Sequence, residues 1–476
     1  MKQFILAALV LNISTVVYSQ KTEQSKSIDQ YVKEMIKINQ IPGLAIGIIK
    51  DDQIIFQRYF GRERLESNKK VDSDSMFRIY STSKLMSNIG VFQLIEKGKL
   101  SLEDNISKYI ENLPQEWQEV KIKHLLTHSS GIPNLIAYHD ILVDDSNAKV
   151  IERLSREKME FTTGNQFRYN QTNYFLLTMI IEKVTGQSFE DFILNNQFSD
   201  DKSQVVFSSD ATEKIPHRVI KYNYNPEKKQ YEKSTDISGT RAHSANGIAI
   251  TLPAFLKWSI HLSKNDFLDQ KTKEMMWQPF EFGNKKDVFA YGWDISKVNN
   301  INSYNFSGGN VSVYKTYPSS NMSIVMMSNG YSLFPIQYRM INHIAAMLDK
   351  NLTDDHSLAE ETIITEFSKK DNPHAEKIYY SMKAKNPKWN FENTLNDIGY
   401  ILLRNSRIDE AIKVFALNAK ENPQSANAFD SLGEGYFSAK KYALALENYK
   451  KSLTINPENT NAAKMIQKIE DLMKKK

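Results

Sequence analysis

The 476-residue chain contains no cysteine. That absence removes disulfides, thiol nucleophiles, iron–sulfur clusters and cysteine zinc sites together, so a nucleophile here is an oxygen or a lysine. A dominant charge is missing as well. The 61 basic and 56 acidic residues leave a formal charge of +5, and both signs are scattered rather than gathered into a basic block, so nucleic-acid binding is not expected. Past the N-terminus no stretch of roughly 18 consecutive apolar residues occurs, which leaves no candidate membrane span there. What is present, 41% hydrophobic and 11% aromatic residues, is the profile of a folded soluble protein, at a length that suits about two to four domains.

Residues 1–19 carry one cation at Lys2, an apolar run from Phe4 to about Val17, and small residues near Ser19. This is the layout of a secretory signal peptide. The alternative is a membrane anchor, but Asn12 and Ser14 interrupt the run, which is short for a span of roughly 20 residues. The expectation is export to the periplasm or outside the cell, with no transmembrane anchor after cleavage.

Texture changes near Lys350, where Asn351-Leu-Thr-Asp-Asp-His356 opens a polar stretch. A linker is expected over 351–371. From 372 to 476 the sequence repeats with a period of 34: Gly399 and Gly433, Ala411 and Ala445, Phe415 and Tyr449, Pro423 and Pro457. That period, with small residues and aromatics at these offsets, is the tetratricopeptide pattern of stacked antiparallel helix pairs. Repeats are expected over 392–425 and 426–459, a capping helix over 461–474, and a degenerate half-repeat around Ala375, Tyr379 and Pro387. Such an array offers a docking groove for a protein partner; the plainer reading is a packing appendage.

The body, residues 20–350, reads as α/β. Ile28 to Ile38 has helical spacing. Leu44-Ala-Ile-Gly-Ile-Ile49 and Gln53 to Tyr59 form a hairpin across Asp51-Asp52, and Phe306–Tyr317 and Met322–Ser328 read as two more strands. Strands at both ends with helices between suggest one antiparallel sheet flanked by helices, with a cleft between the layers.

No G-x-S-x-G elbow occurs in the sequence, which argues against an α/β-hydrolase. Ser-x-x-Lys recurs, at Ser67, Ser155, Ser312 and Ser438 as well as Ser81, so the tetrapeptide alone carries little. Only Ser81 sits where a hydrophobic approach, Met76 to Tyr80, passes into an apolar helix. There the serine oxygen meets free N–H groups and the positive dipole end, and Lys84 falls on the same face one turn later. Burial would lower the lysine pKa and let it accept or relay a proton. The structural alternative is an N-cap serine with a surface lysine.

Seven segments in order then resemble the serine β-lactamase and penicillin-binding-protein superfamily, in particular its class C β-lactamase-like branch, which includes esterases and D-amino-acid peptidases. They are Ile41-Pro-Gly-Leu44, Phe77-Arg-Ile-Tyr-Ser-Thr-Ser-Lys84, Gly98-Lys-Leu-Ser-Leu102, His124-Leu-Leu-Thr-His-Ser-Ser-Gly131, Phe167-Arg-Tyr-Asn-Gln171, Ile180-Ile-Glu-Lys-Val-Thr-Gly186 and Ser307-Gly-Gly309. The resemblance implies a β-lactamase/transpeptidase-like fold, Ser81 as acyl-forming nucleophile, Lys84 as its activating partner and Tyr169 as proton shuttle, with a neighbouring ammonium lowering the phenol pKa. It implies no cofactor and no metal. Gln171 stands where relatives carry Asn and keeps the amide with one more methylene. Phe306-Ser307-Gly308, followed by Gly309, stands where relatives carry Lys-Thr-Gly or His-x-Gly; the Gly309 and Ser81 N–H groups would form an oxyanion hole.

Phe306 opens that motif, at the cation's position, and supplies neither charge nor donor; Lys315-Thr316-Tyr317 is a weaker placement because it lacks the glycine. Without the usual cation, a substrate carboxylate loses a charged hydrogen bond of roughly 1.5–3 kcal/mol. The expected substrates are therefore esters, small amides or peptides rather than penicillins. His124 and His128, spaced like a zinc pair, lack the glutamate and third ligand of such a site. Arg241 and His243 are expected at the surface, near the cleft border.

Overall fold

The computed structural model describes residues 23–333 and 336–474; the expected signal segment, 1–19, lies outside them. Among the described residues no helix is long and apolar enough to cross a membrane.

A six-stranded antiparallel sheet carries the body. Its strands are β1 (Gly43–Lys50), β2 (Gln53–Gly61), β3 (Asp294–Val298), β4 (Ile301–Gly308), β5 (Ser312–Tyr317) and β6 (Met322–Ser328), in the order β2-β1-β6-β5-β4-β3. Asp51 and Asp52 both hold positive φ, 50° and 58°, the backbone of a type I′ turn, whose twist matches that of the paired strands. Side chains alternate across the sheet. Leu44, Ile46 and Ile48 of β1 and Ile324 and Met326 of β6 enter one core, with a helix spanning 23–39 (α1) and helix α5 (Gln337–Leu348). Ala45, Ile49, Val325 and Met327 enter the other, which is covered by α2 (Lys84–Glu96), α3 (Gln171–Thr185) and α4 (Leu252–Ser263). Gly47 is where α4 presses closest; a Cβ there would lie 2.6 Å from Leu256.

The segment 306–317, read from sequence as one strand, is two. Gly309 and Asn310, with φ of 55° and 56°, turn the chain between β4 and β5. Both residues tolerate the left-handed region, and apolar neighbours on each side conceal the break in the sequence.

The expected linker is folded. Within 351–371 lies α6 (Asp355–Ser368), capped by Asp354, whose carboxylate accepts from the His356 and Ser357 N–H groups. Ala359, Ile363 and Ile364 of α6 are buried in the C-terminal core. The polar run that suggests a linker is the helix's N-cap and solvent face.

The C-terminal region continues with α7 (Ala375–Lys385), α8 (Glu392–Arg404), α9 (Ile408–Glu421), α10 (Ala426–Ser438), α11 (Tyr442–Ile455) and α12 (Thr460–Lys474). The internal repeat shows in their hydrogen bonds. Asn418 Nδ2 donates to Glu392 O at 3.1 Å, and 34 residues on in both partners Ser452 Oγ donates to Ala426 O at 2.7 Å. This helical region is clamped to the body by buried Glu361, which accepts from the Tyr31 hydroxyl at 2.6 Å and lies 3.0 Å from His343 Nδ1.

Candidate active site

Ser81 lies in a 3₁₀ turn, Tyr80–Ser83, that runs directly into α2. Within this turn Thr82 N–H donates to Ile79 O at 3.1 Å, and Lys84 N–H to the Ser81 and Thr82 carbonyls. Lys84, the first residue of α2, is completely buried. Its Nζ donates to Gln171 Oε1 at 3.0 Å and to Ala245 O at 2.8 Å, and sits 4.9 Å and 4.8 Å from the ring centroids of Tyr169 and Tyr174. Burial holds the amine well below the ordinary lysine pKa. A neutral amine has two N–H bonds and one lone pair. The two acceptors take both hydrogens, which leaves the lone pair free to accept a proton.

The Tyr169 hydroxyl donates to Ser81 Oγ at 2.9 Å. Tyr169 is placed by the start of α3, where Asn170 is the N-cap and accepts from Thr172 N. The phenol pKa is not lowered, as the sequence reading expects from a neighbouring ammonium. It is pushed up to about 12, chiefly by burial. A lysine that is itself desolvated toward neutrality offers little charge to stabilise a phenolate, so desolvation dominates.

β4 supplies the opposite wall. Its pairing with β3 ends at Asn305, and the next residues run against the serine turn. Gly308 makes this approach possible, since a Cβ there would lie 1.9 Å from Ile79 O and 2.7 Å from Ser81 N. Gly309 packs against the Tyr80 ring in the same way, at 2.8 Å. Phe306 is buried with its ring centroid 6.3 Å from that of Tyr169; the usual cation's place holds an apolar ring. Ser307 alternates with it and turns toward Tyr338 on α5. Lys315, the weaker motif placement, donates to Asn342 of α5 at 2.8 Å. Its neighbour Tyr314 pairs with Phe306 and faces the α4 side, so Lys315 points away from Ser81.

Three contributors escape the sequence. Ser312, there only one of several Ser-x-x-Lys matches, ties β5 to the serine turn by donating to Ile79 O at 2.6 Å and meeting Thr82 Oγ1 at 2.9 Å. The Ala245 carbonyl has no side-chain signal at all. His128 is fully buried under Tyr169, ring centroids 4.6 Å apart, and its Nδ1 accepts from Asn170 N; burial above all holds it well below its ordinary pKa. Its histidine spacing suggests metal, whereas its contacts are those of a support for the tyrosine. His243 is buried against Glu190 rather than exposed, and Arg241 donates to the Leu142, Val143 and Asp145 carbonyls.

The family described as Beta-lactamase matches residues 28–341, more than half of the chain. Over 294 residues the chain is 26% identical to penicillin-binding protein 4* of Bacillus subtilis (strain 168), covering 57% of this chain and 64% of that protein. It spans less than two thirds of the length of the curated relatives it matches, Staphylococcus aureus protein flp among them. The octameric penicillin-binding protein homologue from Pyrococcus abyssi superposes with a TM-score of 0.59 at 23% identity, over 71% of this chain and 81% of that one. EstCE1, a hydrolase with promiscuous acyltransferase activity, gives 0.58 at 16% identity over 70% and 99%. At such identities the structural likeness establishes the fold. The sheet, the helical layers and the match across 28–341 converge, and the chain belongs to the beta-lactamase family of serine hydrolases.

Proposed function

We propose that this chain is an exported serine hydrolase acting through an acyl-enzyme on Ser81, on esters or small amides and peptides rather than as an efficient β-lactamase. The observation that carries the reading is the Tyr169–Ser81 hydrogen bond at 2.9 Å beside a buried lysine whose two acceptors leave a lone pair free. In this scheme Ser81 Oγ attacks the carbonyl carbon as its proton passes to Lys84, and the Ser81 and Gly309 amides hold the oxyanion. Tyr169, protonated across the neutral range, gives its proton to the departing alcohol or amine and regains one from Lys84. Water then attacks the ester of Ser81 by the same route in reverse, and the acid leaves. Gln171 orients Lys84 or a substrate amide.

Phe306 supports the substrate preference, because an apolar ring offers nothing to a carboxylate. The test compares turnover of p-nitrophenyl esters, D-amino-acid amides and nitrocefin by the purified chain. Esters or amides are expected to be the faster substrates; faster nitrocefin would overturn the preference.

The recurring Gly399/Phe415 and Gly433/Tyr449 contacts support reading the C-terminal helices as tetratricopeptide-type repeats that dock a partner protein. A body with no probe reactivity, with partner capture confined to residues 372–476, would favour a binding module over an enzyme.

A further inference from the structure

Beside the serine turn lies a small cavity lined by Arg78, Tyr80, Arg218, Lys221, Ser234 and Asn329, with apolar neighbours. Three cations line it and no carboxylate does. Arg78 is 6% and Arg218 3% exposed, so both are desolvated. The hydrogen bonds of Arg78 are incomplete. Arg78 donates from Nε and Nη2 to Asn246, while buried Nη1 has no partner. Arg218 is held by Glu213 O and, at 3.4 Å, by Ser208 Oγ. Lys221 reaches only Asp236, 3.9 Å away and half-exposed, whose carboxylate already accepts from Ser234. The Tyr80 ring is held between Arg78, 4.4 Å from its centroid, and Lys221, 4.5 Å.

Burying guanidinium groups side by side is unfavourable unless a counter-charge joins them. The cavity measures about 20 Å³, enough for one water-sized occupant and too little for a penicillin or a peptide carboxylate with its attached groups. We infer that this is a binding site for a monovalent inorganic anion, a halide, which satisfies Arg78 Nη1 and joins Arg78, Arg218 and Lys221. Its consequence is local. Tyr80 holds a positive φ of 47° immediately before Ser81 and packs against Gly309, so the anion braces the turn that presents the nucleophile. The site goes beyond the hydrolase reading and does not depend on it.

The test uses the full chain. Crystals grown or soaked in sodium bromide are expected to show an anomalous peak within hydrogen-bonding distance of Arg78 Nη1. In solution, bromide and chloride are expected to raise the melting temperature saturably, while gluconate at equal ionic strength does not. Lys221→Met is expected to weaken halide binding by about tenfold, a lost neighbouring charge, and Arg78→Gln to abolish it. Should Arg78→Gln fail to fold, Lys221→Met at a less buried position keeps the site testable. A water at this position in bromide crystals, or equal stabilisation by bromide and gluconate, overturns the inference. So does bromide competition with carboxylate-bearing substrates, which would make the cavity part of the substrate cleft.

Discussion

Glycine does different work in the two halves of this molecule. At the active site Gly308 lets backbone meet backbone, bringing β4 to within a Cβ of Ile79 O and Ser81 N. In the helical region Gly399 and Gly433 let a helix meet a ring, Phe415 in one hairpin and Tyr449 in the next. The first arrangement joins residues more than 200 positions apart and lies beside a buried lysine and a largely buried phenol. The second is repeated 34 residues on, and its partners are close in sequence. One region gives up stability to hold reactive groups in place; in the other each contact is a packing contact between neighbouring helices.

The largest effect is expected from Ser81→Ala, which should end fluorophosphonate labelling and lower ester turnover by at least about a thousandfold. Labelling that survives would remove Ser81 from the chemistry. Gly308→Ala and Gly399→Ala then divide the two uses of glycine. The first should lower kcat/KM by about a hundredfold, because a displacement near 1 Å at the nucleophile is enough. The second forces a Cβ within 2.2 Å of Phe415, so it should cost about 1–3 kcal/mol in denaturant melts and leave ester turnover per folded molecule unchanged. Loss of activity from both would mean that the regions are coupled.

Lys84→Met separates function from stability. Burial disfavours the charged lysine, so between its folded pKa and the unfolded value near 10.5 the unfolded chain binds the extra proton. Wild-type stability therefore falls as pH drops through that window. The variant should be inactive yet more stable at pH 7 by about 1 kcal/mol, and the difference in melting temperature should shrink as pH approaches 10.5. In the wild type, labelling should rise through one acid limb below pH 10.5, as Lys84 loses its proton, and then hold a plateau, since Tyr169 at about 12 titrates above it. The smallest effect belongs to the seam. Glu361→Ala removes the acceptor of Tyr31 and His343 and should cost about 1–2 kcal/mol without changing turnover.

The same contrast explains what could be read in advance. The repeat was visible because each hairpin repeats its own code, Gly against aromatic, within 34 residues. The serine–lysine pair was visible because i and i+3 share a helix face, and the hairpin at Asp51-Asp52 because that turn needs two residues tolerant of positive φ. What stayed hidden depends on partners distant in the chain. Ala245 contributes a carbonyl, which any residue has; Ser312 looks like one more serine in a strand; the role of His128 follows from the ring above it. The direction of the Tyr169 pKa shift depends on the depth of burial, which spacing does not encode. α6 reads as a linker in the sequence because only one of its faces is apolar and its cap is made of loop-like residues.

The sheet has a further consequence for how the protein is made. β1 lies between β2 and β6, and Leu44 is paired with Ser328, so the hairpin synthesised first waits for nearly the whole body before its second neighbour exists. Closing so long a loop precedes any reward from the pairing, which makes this the slow kind of folding. The helical hairpins close over a few tens of residues and have no such delay. By the time the last strand completes the sheet, α5 and then α6 follow within a few tens of residues, and the Tyr31–Glu361–His343 cluster can form only after α1 has been fixed on the finished sheet. The seam thus comes after the sheet in the order of assembly, and its formation reports that the body is whole.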